Sequence, residues 1–331
     1  MGMENFIKSV DERTRLAGAN RLEILLFSLG TDKVTGRKET FAINVFKVRE
    51  VMHVPEITHA PDMPPAVEGV VSLRGSMVPV VNLARFCGIQ TDEPQNILIV
   101  TEFNRHVQGL LVNSVEHILR MQWSDIRVPP PMLAHRMGGL ITAVTELSDE
   151  RIVMILDVEK VLAETAGLGQ DEDLFRDIDK VGEGPTILFA DDSMVARHQI
   201  QTTLERLDVH FIPTKNGKEA WEKLQELHHA AEAEGVPITD KVTAVLTDVE
   251  MPEMDGYVLT KRIKEDPRFR NISVIMHSSL SADANVNIGT RIGADLYVPK
   301  FNPKELAAAI RQIVADHKER QQQQQVQAAA G

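Results

Sequence analysis

The sequence predicts two unlike folds on one chain: a mostly β half, then an α/β half built on a doubly wound parallel sheet. Three observations carry this. Apolar runs before residue 164 are short, turn-separated and show little helical period. Runs after residue 185 alternate with helical patterns. Between them, residues 164–183 hold seven acids, two bases and three glycines with no sustained apolar period, which reads as a solvated linker. A length of 331 residues suits two domains.

In the first half, residues 22–29 and 41–51 are aliphatic runs separated by the turn-like stretch 30–38. Residues 69–73 and 77–81 flank Arg74-Gly75-Ser76, a tight hairpin in which Gly75 takes the positive φ. Residues 96–103 and 106–121 flank Asn104-Arg105, and residues 134–147 and 151–156 flank Ser148-Asp149-Glu150. Many short strands with frequent turns predict a barrel or sandwich. In the second half, residues 186–190, 209–213, 242–247, 272–277 and 294–298 are five apolar runs, the first four each followed by a helical stretch. That alternation predicts a parallel sheet covered on both faces. The expected divisions are an N-terminal segment 1–19, a β domain 20–165, an acidic linker 166–184, an α/β domain 185–316 and a glutamine-rich, disordered tail 317–331.

Composition narrows the function. Thirty-six Lys and Arg against 48 Asp and Glu give a net charge of −12, which argues against a chain that grips nucleic acid by its phosphates. One cysteine, Cys87, excludes an internal disulfide, and its surroundings read as an apolar, half-buried thiol. His53, His59, His106, His117 and His135 show no metal-ligand spacing. The first twenty residues lack a signal-peptide core, and no apolar run approaches the ~20 residues that span a bilayer, so a cytoplasmic chain without membrane insertion is expected.

The second half concentrates chemistry at the carboxyl ends of its strands, where open α/β sheets place their sites. The first run ends in Asp191-Asp192, the third in Asp248, the fourth in His277-Ser278-Ser279, and the fifth in Tyr297-Val298-Pro299-Lys300. Taken singly, each has a plain structural reading: a helix cap and solvated acid, a turn, a surface lysine. Together they bring three carboxylates, a hydroxyl and an ammonium to one rim. Carboxylates held close together repel unless a cation intervenes, and Mg²⁺ suits a few carboxylate oxygens while leaving room for phosphate. A carboxylate can also act as the nucleophile in phosphoryl transfer.

Residues 185–316 resemble the receiver domain of two-component response regulators, on Asp191-Asp192, Asp248 within DVEMPEMDG, Ser278, Tyr297 and Lys300. The resemblance implies a flavodoxin-like five-stranded sheet and a phosphoryl group accepted on Asp248 from a histidine kinase. It implies Mg²⁺ held by Asp192, Asp248 and the backbone carbonyl of Glu250, with Asp191 acting through water. It also implies a switch through Ser278 and Tyr297. The sequence departs from the family at Phe301, where proline usually follows the lysine. Glu250, two residues beyond Asp248, adds a charge that is expected to alter the acyl phosphate's lifetime.

Residues 20–165 look like a CheW-type adaptor domain, a pair of five-stranded SH3-like barrels. The resemblance rests on residues 41–45 and 48–51 and on VEGVVSLRGSMVPVVNL at 67–83, with Ser72 and Asn82 departing from the usual Asn and Asp. It implies contacts with the histidine kinase CheA and with the cytoplasmic tips of chemoreceptors, and Val48, Glu50, Gly69, Leu73 and Arg74 match the positions concerned. From spacing alone, Arg74 and Glu50 read equally as a solvated turn arginine and an edge charge.

The two domains in this order are similar to the CheV type of coupling protein, a cytoplasmic scaffold recruited to receptor arrays rather than a turnover enzyme. Phosphorylation there would tune kinase coupling or drain phosphate from the kinase. Two other readings stand beside it. A response regulator with another output would need an effector domain, and after the receiver only the glutamine-rich tail follows. A Mg²⁺-dependent phosphatase with an aspartate nucleophile usually carries Asp-x-Asp after its first strand, where this chain has adjacent Asp191 and Asp192.

Overall fold

The computed structural model describes residues 21–330 except 60, 104–105, 137–138, 167–174, 176–177, 182–184, 279–291 and 301. The expected N-terminal segment, the Asn104-Arg105 turn and Phe301 therefore lie outside the described residues. The described chain divides into two compact units, Arg21–Gln170 and a second beginning at Asp171.

The first unit contains ten strands: β1 (Arg21–Thr31), β2 (Lys38–Asn44), β3 (Val48–His53), β4 (Val67–Leu73), β5 (Ser76–Asn82), β6 (Ile97–Phe103), β7 (His106–Val112), β8 (Ser114–Gln122), β9 (Ile141–Glu146) and β10 (Ile152–Leu156). They form two five-stranded sheets, in the orders β8-β1-β2-β10-β9 and β3-β6-β7-β5-β4. β1 explains why its run is apolar at nearly every position. Leu25, Phe27 and Leu29 face one core and Leu22, Ile24 and Leu26 another, so the strand is buried on both sides. Phe27 stacks on Phe41 of β2 at 6.1 Å between ring centroids.

Three runs that read as continuous are broken. Residues 41–51 are interrupted by a 3-10 turn at Val45–Lys47, where the Asn44 side chain accepts from the Phe46 N–H at 3.0 Å; β2 and β3 then enter different sheets. Residues 106–121 break at Asn113, whose N–H donates to the Ser28 carbonyl and whose side chain donates to the Pro94 carbonyl. Of residues 134–147, the first three close a helix, Pro131–Arg136, which opens with the proline that favours a first helical position. At the β4–β5 hairpin both Arg74 (φ 51°) and Gly75 (φ 83°) take the left-handed region that a tight two-residue hairpin needs.

The second unit has a parallel sheet of β11 (Thr186–Ala190), β12 (His210–Thr214), β13 (Ala244–Thr247), β14 (Ser273–Ser278) and β15 (Leu296–Pro299), in the order β12-β11-β13-β14-β15. Alternation along β11 sends Ile187 and Phe189 to one face, against helices Met194–Leu207 and Pro303–Ala330. It sends Leu188 and Ala190 to the other, against Gly217–Glu234 and Gly256–Glu265. The helix starts on the rim are fixed by Ser193, Asn216 and Asp255, whose side chains accept backbone N–H groups of the first turn.

Two segments differ from expectation. Within the stretch read as linker, Ile178 and Val181 pack on the apolar core of the second unit, and the Val181 N–H donates to the Leu207 carbonyl at 2.8 Å. The tail expected to be disordered from residue 317 instead continues the last helix to Ala330. Gln and Ala are good helix formers and no breaker interrupts them. Arg320 donates to Ser273 Oγ at 3.1 Å and Gln321 to Asp240 at 2.9 Å, which ties this helix to β14 and to the short helix Ile238–Lys241. Among the described residues no helix is long and apolar enough to cross a membrane.

Candidate functional site

The order of the parallel sheet reverses between β11 and β13, and that crevice is where side chains beyond the strand ends converge. Asp191 follows β11 and Asp248 follows β13, so parallel pairing of those strands brings the two carboxylates together. Asp191 is fully buried and Asp248 is 4% exposed. Lys300, just beyond β15, is 1% exposed, and its Nζ lies 2.8 Å from Asp191 Oδ2 and 2.9 Å from Asp248 Oδ2. The ammonium thus ties the two acids that repulsion would drive apart.

The other oxygens are also held. The Ser193 N–H donates to Asp191 Oδ1 at 2.9 Å and the Val249 N–H to Asp248 Oδ1 at 2.7 Å. Half-buried Asp192 completes a set of three carboxylates whose oxygens lie within 4.8 Å of one another. Hard oxygen donors at that spacing, open on one side through Asp192, fit a small divalent cation. Arg197, one turn into the first helix, donates to the Asp191 and Asp192 carbonyls at 2.8 Å each and fixes the loop that carries both acids.

Ser278 ends β14 and is 1% exposed; the half-buried Tyr297 of β15 hydrogen-bonds it. Burial pushes the Tyr297 phenol up to about 12; the Ser278 bond opposes this, and the Asp248 and Glu250 carboxylates add to it. Glu250 is 9% exposed on the loop after Asp248. That loop ends at Asp255, the cap of helix Gly256–Glu265, whose carboxyl is raised to about 6 by burial against the opposing Val258 and Tyr257 N–H bonds. Gly256 is required by close approach: its N–H donates to the Val249 carbonyl at 3.0 Å, and a Cβ there would run into the Asp248 carbonyl.

The structure therefore brings together Asp191, Asp192, Asp248 and Lys300, with Ser278 and Tyr297 bonded to each other on the neighbouring strands. Sequence reasoning missed Arg197, Gly256 and Tyr257. The Asp-Gly pair at 255–256 was a visible turn signal. Arg197 and Tyr257 carried none, because their roles depend on what surrounds them.

In the first unit, the five expected partner positions fall in one sheet but are not one surface. Val48 is 8% exposed and packs in the core. Gly69 is buried with φ at +145°, and a Cβ on it would meet the Thr58 carbonyl. These two cannot offer side chains to a partner; they hold the sheet's shape. Half-buried Leu73 packs beneath the hairpin, while Arg74 donates to Glu50 at 2.9 Å across the surface.

Residues 23–166 match the CheW-like domain family, and residues 187–311 match the response regulator receiver domain family. The chain is a response-regulator receiver joined to a CheW-like domain. Chemotaxis protein CheV2 of Helicobacter pylori is 28% identical over 327 residues, covering 93% of this chain and 100% of that one. Chemotaxis protein CheW of Klebsiella aerogenes is 30% identical over 144 residues, covering 43% and 81%. Chemotaxis protein CheY1 of H. pylori is 32% identical over 130 residues, covering 39% and 95%. In its two-domain architecture the chain is similar to the CheV chemotaxis proteins across most of its length.

Proposed function

We propose that the chain couples chemoreceptor tips to the histidine kinase CheA through its CheW-like domain, and that Asp248 accepts a phosphoryl group from that kinase. The observation that carries the second part is the Lys300 ammonium, held between Asp191 and Asp248 at 2.8 and 2.9 Å beside a triad of carboxylate oxygens. A carboxylate oxygen of Asp248 attacks phosphorus, the new O–P bond forms as the donor's N–P bond breaks, and the electron pair returns to the donor imidazole. Lys300 balances charge on the phosphoryl oxygens, and Ser278 offers a hydroxyl to one of them. Asp191, Asp192, Asp248 and the Glu250 carbonyl are the groups that would hold Mg²⁺, which neutralises the same oxygens when bound.

Because acceptor and docking surface share a chain, transfer from a docked kinase gains from a high local concentration. The family supports recruitment to receptor arrays in the cytoplasm, with phosphorylation biasing coupling or draining phosphate. The test is transfer from radiolabelled phospho-kinase, with receptor and kinase pull-downs on the same preparation. Label retained by wild type and lost in Asp248→Asn supports the acceptor. Continuous turnover of phosphate monoesters would favour a phosphatase, and failure to retain kinase or receptor in either state would remove the coupling role.

A further inference from the structure

The chain has two tyrosines in 331 residues, and both sit in one small apolar cluster beside Asp248. Buried Tyr257 packs with Val249 and Met276, and half-buried Tyr297 packs against the same group. Val249 is the residue whose N–H holds Asp248 Oδ1, and Met276 lies on β14 two positions before Ser278. The cluster is thus a wall shared by the acceptor and the hydroxyl strand. Its two phenols are in different states. Tyr297 bonds Ser278. Tyr257 is 6% exposed, and its Oη has no hydrogen-bond partner among the described residues. A buried hydroxyl left unbonded is disfavoured, and phenylalanine would fill the same space without that penalty.

We infer that Tyr257 Oη is a second hydrogen-bonding station for Tyr297, used when Ser278 gives its hydroxyl to a phosphoryl group on Asp248. The inference rests on the acceptor role proposed above. Counting polar groups shows why the exchange is favoured. At rest, Ser278 and Tyr297 satisfy each other and Tyr257 is orphaned. Once Ser278 engages the phosphoryl group, Tyr297 gives up that bond beside a Tyr257 hydroxyl that already has none. A phenol can both donate and accept, so one new bond serves both rings. Tyr257 is then a positioning residue that acts through Tyr297 and never touches the phosphoryl group.

With two tyrosines, the full chain labelled with ¹³C at tyrosine Cζ gives two resonances, assigned with Tyr257→Phe or Tyr297→Phe. The protein is treated with acetyl phosphate and Mg²⁺, and phosphoryl gain is followed in parallel by the mass of the intact chain. The expected result is that the Tyr257 resonance shifts on phosphorylation of wild type and holds still in phosphorylated Tyr297→Phe. Phosphoryl gain with the wild-type Tyr257 resonance unmoved overturns the inference and leaves Asp248 as acceptor. A Tyr257 shift that persists in Tyr297→Phe also overturns it, because the ring would then be sensing the site without its partner. Absence of phosphoryl gain removes the acceptor role and this inference with it.

Discussion

The carbonyl oxygen of Asp248 occupies the space in which a Cβ on Gly256 would stand. The Asp248 backbone is therefore seated directly on the start of the helix Gly256–Glu265, and the loop between them has one way to close. Gly256→Ala must push the two segments apart. Such overpacking costs about 1–3 kcal/mol, and the displaced Asp248 should take phosphate more slowly than wild type. Urea midpoints and acetyl phosphate labelling rates check this; wild-type values for both would contradict it.

Lys300 is buried with two carboxylates on its ammonium. Lys300→Met leaves those acids facing each other, and removing one member of a buried ionic group costs roughly 3–5 kcal/mol. A divalent ion can replace part of the missing charge, so Mg²⁺ should raise the melting temperature of Lys300→Met more than that of wild type. Equal responses in thermal melts with Mg²⁺ and with chelator would count against a metal held by these acids.

Asp255 titrates near 6 in the fold against a reference value of 3.8, because burial disfavours its charge. Between those values the folded state keeps a proton that the unfolded state releases. Its contribution to stability is therefore complete below the lower value and lost as pH rises through about 6. Asp255→Asn keeps an oxygen for the Val258 N–H and removes the titration. Above pH ~6 this variant should be the more stable by up to about 3 kcal/mol, the 2.2-unit difference converted at 1.36 kcal/mol per unit. Denaturant curves at several pH values decide it, and a difference independent of pH would rule it out.

Arg74 and Glu50 pair across an exposed surface, with the arginine side chain 67% accessible. Exposed pairs contribute less than about 1 kcal/mol. Arg74→Ala should therefore leave the urea midpoint nearly unchanged while weakening capture of CheA or receptor tips by the CheW-like domain. A large fall in stability would make the pair structural, and unaltered capture would remove Arg74 from the docking surface.

Cys87 sits half-buried against the first unit's core, and burial pushes its thiol up to about 12. It should react with iodoacetamide at neutral pH at least about a hundredfold more slowly in the native chain than in urea. As the chain's single thiol, it reports opening of that unit by mass alone. Rapid native labelling would show that the surrounding packing is loose.

How much was legible follows from where each signal lives. The three central strands of the second unit stood out because parallel strands buried on both faces are largely apolar, and the rim residues sit where those runs stop. The breaks at Asn44 and Asn113 were hidden because apolar character continues across them, and one side-chain hydrogen bond at each turns the chain into another sheet. Val48 and Gly69 looked like partner contacts because a motif does not say which of its residues support and which protrude. The final helix was misread because composition carries no record of the bonds Arg320 and Gln321 make to distant residues. Tyr257 was invisible for a related reason: an unsatisfied hydroxyl is a property of its surroundings.

β1 pairs with β8 from Arg21↔Gln122 onward, and β2 pairs with β10, while the whole of the other sheet lies between them in the chain. β1 finds one neighbour, β2, close by in the chain but waits for the other, β8, from about a hundred residues downstream, the kind of connectivity that slows folding. During synthesis, one edge each of β1 and β2 remains unpaired until β8 and β10 arrive. That interval, more than anything in the finished molecule, is when this chain is exposed to aggregation and most in need of chaperones.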